Sequence, residues 1–124
     1  MITGFDHIVL NCANVFTTVG FYERVLKMES RESAEGRWSL HFGAAKISLQ
    51  SPDPLPEIAR NTTHGSANFC VVTEEDIGEV VKRLQKNEVT ILQGPGLKSG
   101  ALGPMQSVYF NDPDGNLVEV CQYG

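Results

Sequence analysis

Pro52, Pro54 and Pro56, within the stretch from Ser51 to Gly65, constrain this chain more than any other feature. A proline lacks the N–H that a ladder hydrogen bond needs, so a segment spaced this way cannot run through the centre of a sheet and reads as a linker. It divides the sequence into two halves with the same order of elements. In the first half Phe5 to Asn11 reads as a strand, and Val15, Val19, Tyr22 and Leu26 fall at steps of 4, 3 and 4, the stripe of an amphipathic helix. Arg37 to Phe42 and Lys46 to Gln50, joined by Gly43, Ala44 and Ala45, follow as a hairpin. In the second half Ser66 to Val72 is a strand. Thr73 is the expected N-cap, with Asp76 three residues on, and Ile77, Val80, Val81 and Leu84 make a second helical stripe. Thr90 to Leu92, a glycine-rich loop from Gly94 to Pro104, Gln106 to Phe110, the turn Asp112-Pro113-Asp114-Gly115 and Asn116 to Gln122 complete it. The expectation is one domain of two β-α-β-β-β modules, the first about 4–51, the linker about 52–64 and the second about 65–124.

Laying one half on the other pairs "DHIVLNC" with "GSANFCV", "LHF" with "VYF" and "ISL" with "VEV", so His7 falls on Ser66 and Ser48 on Glu119. Strand alternation then separates two faces. Ile8, Leu10, Ile47, Leu49, Val108, Phe110, Val118 and Val120 belong to one, which must meet the helices. His7, Asn11, Ser48, Gln50, Ser66, Asn68, Tyr109 and Glu119 belong to the other. A face so rich in Ser, Asn, Gln, Tyr and His, with a carboxylate between two valines, suits a lined cavity better than open surface. Glu119 therefore aims into a cleft. His41, between Leu40 and Phe42, is expected to point outward into solvent.

With 124 residues, 41% hydrophobic and 20% charged, the chain has enough apolar content for one core. A net charge of -5 with scattered basic residues lacks the footprint of a nucleic-acid binder. No apolar run nears the roughly 20 residues that span a bilayer, and "MITGFDH" is no signal sequence, so a cytoplasmic protein with no membrane partner is expected. Cys12, Cys70 and Cys121 form no close pair and are expected as buried or cleft-lining thiols.

The segments "FDHIVLNCANVFTTVGFYERVLKM", "HFG..KISL" and "GPMQSVYFNDPDGNLVEV" resemble the vicinal oxygen chelate superfamily, the glyoxalase, bleomycin-resistance and dioxygenase group. The loop "GPGLKSGALGP" before the last segment is most like the glyoxalase domain-containing protein five branch. The resemblance runs from Gly4 to Tyr123. It implies an α+β fold of paired βαβββ modules forming a curved mixed sheet around a divalent metal (Zn, Ni, Mn or Fe), with members commonly paired as homodimers.

Carried over residue by residue, the family's four ligand places are His7, Ser48, Ser66 and Glu119. His7 and Glu119 match as metal ligands; the serines depart from the family pattern, and a serine hydroxyl is a poor ligand for such metals. Ser48, Gln50, Ser66, Asn68 and Tyr109 are then substrate-binding candidates. Lys98, on a glycine-rich lid, joins them, and Glu119 is the catalytic base. The implied activity is that of a glyoxalase-like lyase or isomerase, moving a proton on a small oxygenated metabolite or thiol conjugate. The alternatives are a metal-free small-molecule binder of bleomycin-resistance type and a dimeric interaction module without chemistry.

Overall fold

A computed structural model describes residues 1–50, 59 and 62–124; Pro52, Pro54 and Pro56 of the expected linker lie outside the described residues. The chain divides into two compact units, Met1–Gly65 and Ser66–Gly124. The first contains β1 (His7–Asn11), α1 (Val15–Leu26), β2 (Glu29–Glu32), β3 (Trp38–Phe42) and β4 (Ala45–Gln50). The second contains β5 (Asn68–Val72), α2 (Ile77–Lys86), β6 (Ile91–Gly100), β7 (Gly103–Asn111) and β8 (Leu117–Tyr123). Each is a four-stranded mixed sheet, in the orders β1-β4-β3-β2 and β5-β8-β7-β6. First and last strands pair in parallel, β1 with β4 and β5 with β8, and the other pairings are antiparallel. The α+β class and the βαβββ order agree with the sequence reading.

The helix α1 begins where Asn14, in extended backbone, accepts a hydrogen bond from the Thr17 N–H at 3.1 Å. It ends at Lys27, left-handed at φ 55°, whose N–H reaches the Tyr22 carbonyl. The stripe read from the sequence buries Val19 and Tyr22, with Val25 beside them, and Leu10, Leu40 and Ile47 complete the apolar interior of this unit. Replacing Asn14 with Ala removes one capped donor and is expected to cost about 1 kcal/mol, measurable as a lowered urea midpoint with unchanged m-value.

In the second unit the helix starts later than expected. The Thr73 hydroxyl accepts from the Glu75 N–H at 3.0 Å and holds a turn outside the helix, while Asp76 takes the cap, accepting from the Gly78 N–H at 2.8 Å. A carboxylate suits this place because it also meets the positive end of the helix dipole. Ile77, Val80 and Leu84 are buried, and Val108, Phe110, Val118 and Val120 supply the sheet's apolar face.

Two readings are corrected. The stretch from Gly94 to Pro104 is not a loop: β6 runs on to Gly100 and β7 starts at Gly103, leaving only Ala101 and Leu102 between them. Ladder bonds come from the backbone, so glycines sustain them, and the strain of the run appears as register shifts between Ile91 and Gln93 and between Gln93 and Gly96. Lys98 therefore sits on a paired strand, not on a lid. The strand β2, reading "ESRE", was not expected; it is an edge strand whose alternation carries no apolar residue. No helix among the described residues is long and apolar enough to cross a membrane.

Candidate functional site

Directly paired residues share a sheet face, so the registers build each polar surface strand by strand. In the first unit one row runs His7, Lys46, His41, Glu29 and the next Val9, Ser48, Ser39, Arg31. His41 is thus on the face of His7 and Ser48 and does not point away from it. The repeat already carried this signal, since laying "LHF" on "VYF" sets His41 over Tyr109. The His41 Nε2 and the Ser39 Oγ are 2.8 Å apart, both side chains partly buried. The His7 Nδ1 lies 2.8 Å from the Asp6 carboxylate, a contact that holds the ring and leaves Nε2 as its other nitrogen. That hydrogen bond holds the Asp6 carboxyl below the usual carboxylate range. A cavity of about 1090 Å³ opens here, lined among others by His7, Trp38, Ser39, Lys46, Ser48 and Gln50. Phe16, which also lines it, meets Trp38 edge to face at 5.9 Å.

In the second unit the row is Cys70, Glu119, Tyr109, Gln93, with Cys121 opposite Ser107 in the next. Glu119 stands between the buried Val118 and Val120, so the carboxylate is on the face opposite the core, as its alternation requires. Its Oε2 is buried with no hydrogen-bond partner, and so is the Ser107 Oγ. Burial first, and then the hydrogen-bonded Glu119 carboxylate, raise the Tyr109 phenol above its ordinary pKa. The Cys70 thiol, whose residue is exposed, is pushed up by the partial burial of the sulfur, by the Cys121 thiol and by Glu119. Both thiols are free; Cys121 is buried and Cys70 exposed. The Lys98 ammonium lies 5.7 Å over the Tyr109 ring.

Hydrogen-bond register also corrects the pairing of the two halves. Cys12 N–H bonds the Gln50 carbonyl as Thr73 N–H bonds that of Cys121, and Lys46 N–H bonds Asp6 as Leu117 N–H bonds Ala67. Asn68 therefore holds the register place of His7, and Ser66 precedes β5, outside the ladder. Ser48 and Glu119 keep their correspondence. Cys70 was expected as a buried or cleft-lining thiol, but its place next to Glu119 was not, because the register of two parallel strands is set by tertiary packing and leaves no mark in either strand alone.

Each unit offers one candidate donor to a divalent metal: the His7 imidazole, held by Asp6, in the first and the orphaned Glu119 Oε2 in the second. Imidazole and carboxylate suit borderline and hard divalent ions. Among the described residues no three His, Cys, Asp or Glu side chains gather as a metal cluster.

Two βαβββ units, each closed by its first and last strands and polar on one sheet face, define a class of small-molecule proteins built by module duplication. The family model of the Glyoxalase/Bleomycin resistance protein/Dioxygenase superfamily matches residues 4–120, and the chain belongs to that superfamily. It is 40% identical over 120 residues to virulence protein STM3117 of Salmonella typhimurium, covering 95% of this chain and 83% of that protein. It is 29% identical over 121 residues to the metallothiol transferase FosB of Staphylococcus epidermidis, covering 96% and 81%. Among solved structures, the integron cassette protein VCH_CASS1 from the mobile metagenome of V. cholerae superposes with a TM-score of 0.95 at 40% identity, covering 100% of this chain and 98% of that one.

Proposed function

We propose that the chain is a glyoxalase-type lyase or isomerase that moves a proton on a small oxygenated metabolite or thiol conjugate, with Glu119 as the base. The observation that carries this reading is the buried, unpartnered Glu119 Oε2 beside Tyr109. A buried carboxylate oxygen with no internal partner is free to accept a proton from a substrate C–H. Tyr109 stays protonated well above neutral pH, and its hydrogen bond to Glu119 steadies that carboxylate beside the substrate. Ser48, Gln50, Ser66 and Asn68 hydrogen-bond the substrate's oxygens, and Lys98 backs Tyr109. A divalent metal, Zn, Ni, Mn or Fe, would supply polarisation of adjacent substrate oxygens, with Glu119 as the proposed ligand of the second unit and His7 that of the first. The relative named as a metallothiol transferase supports both the metal and the thiol conjugate. The working form is a homodimer.

The test is metal content by mass spectrometry on protein purified without a metal column, with solvent deuterium exchange into a panel of thiol conjugates of 2-oxoaldehydes. Wild type should carry about one divalent metal per chain and exchange a substrate proton. Glu119→Gln should retain metal at least tenfold more weakly and lose exchange, because an amide is neither a base nor an anionic ligand. Undiminished exchange in that variant would sink the assignment of the base. The absence of a three-donor cluster among the described residues favours one other reading, a metal-free binder. In that case an aromatic ligand should raise the melting temperature with no metal present.

A further inference from the structure

We propose that Ser39 and His41 form a nucleophile and base pair that transfers acyl groups from small activated carboxylic esters or thioesters, an activity separate from that of Glu119. The two sit two residues apart on β3, so alternation puts both side chains on the same face, and the 2.8 Å Oγ to Nε2 separation is that of an activated serine. Ser39 lines the 1090 Å³ cavity, which gives an ester access to Oγ. Four neighbours complete the chemistry. Glu29 stands directly opposite His41 on β2, a carboxylate on the same sheet face as the imidazole. Arg31, bonded to both of its oxygens at 3.2 and 3.3 Å, fixes that carboxylate and is the main reason its pKa is lowered, with His41 adding to the effect. On the other side, Lys46 is opposite His41 and Ser48 opposite Ser39, two donors for a developing oxyanion that line the same cavity.

The step balances without a cofactor. The Ser39 O–H bond breaks as its proton passes to His41 Nε2, and Oγ bonds the carbonyl carbon. The tetrahedral oxyanion then collapses, the bond to the alcohol or thiol breaks, and that group leaves with the proton held by His41. Water attacks the acyl-serine, gives its proton to His41, and the acid departs as Ser39 Oγ recovers that proton.

The experiment treats the full chain with diisopropyl fluorophosphate, maps the adduct by peptide mass spectrometry, and follows 4-nitrophenyl acetate for a burst. The expected result is one diisopropylphosphoryl group on Ser39, none in Ser39→Ala, and labelling slowed on the order of a hundredfold in His41→Gln, which keeps a hydrogen bond to Ser39 but cannot take its proton. Ser30→Ala, whose hydroxyl bonds Glu23 and not a histidine, should label at the wild-type rate. No adduct on Ser39, or equal labelling of His41→Gln, overturns the proposal. If His41→Gln does not fold, the comparison of wild type with Ser39→Ala decides. The readout is a covalent mark on Ser39, so its failure and that of the Glu119 reading are distinguishable.

Discussion

Asp112→Ala is expected to lower the unfolding free energy by about 3 kcal/mol, because three donors lose one carboxylate. Asp112 is buried at 5% exposure in the turn between β7 and β8. Its Oδ1 accepts from the Asp114 N–H at 3.0 Å and the Asn116 N–H at 2.9 Å, and its Oδ2 from the Asn116 side-chain amide at 2.8 Å. Asn116, held this way, turns its own Oδ1 to the Ala67 N–H at 3.0 Å and ties the turn to the approach of β5. Alanine would strand buried donors and loosen that tie as well. Asp112→Asn, which keeps an acceptor for part of the set, should lose about half as much. Urea unfolding measures both, and a midpoint within error of wild type for the alanine variant would show the turn to be dispensable. The sequence "NDPDGN" is on this account a structural device that delivers β8, and with it Glu119, in register.

Gly94→Ala is expected to cost roughly 4 kcal/mol, combining left-handed backbone strain with overpacking. Gly94 has φ +87°, and an added Cβ would lie 2.3 Å from the Ser107 carbonyl oxygen. The obstacle is backbone of the paired strand β7, which cannot rotate aside as a side chain would. Gly94 also sits inside the register shift between Gln93 and Gly96, so relief would require the bulge to open. By contrast Gly96→Ala meets nothing within 4 Å, and it serves as the matched control. Thermal unfolding of the two variants should separate them by well over 10 °C; similar melting temperatures would refute the clash.

How much was legible follows from which interactions are local. The helix α1 was readable to the residue, because the stripe Val15, Val19, Tyr22 and Leu26 is contiguous in the chain. The core face was readable too, because strand alternation has only two phases. The edge strand β2 was not, since Glu29, Ser30, Arg31 and Glu32 have no apolar period and are held only by pairing with β3. The glycine-rich β6 hid for a related reason: its order comes from ladder bonds, and side-chain patterns are silent about those. In the site, Tyr109 beside Glu119 followed from alternation, whereas Cys70 beside Glu119 and Asn68 in the place expected for Ser66 required the parallel register. His41 lies on the polar face, against the expectation, because it is one strand period from Ser39 and out of phase with the apolar Leu40 and Phe42 on either side of it.

The parallel pairing of first and last strands has a consequence for the order in which the protein can form on the ribosome. His7 finds its ladder partner only when Lys46 has been made, and Asn68 waits for Leu117. Neither sheet can zip from a hairpin outward to completion; each needs a late, non-local closure that carries the loop entropy of nearly its whole length. The first sheet has all its strands once Gln50 has emerged, while the second needs β8. A nascent chain halted before β8 would therefore leave β5 and β7 with bare edges, and those edges are where a quality-control chaperone should first take hold.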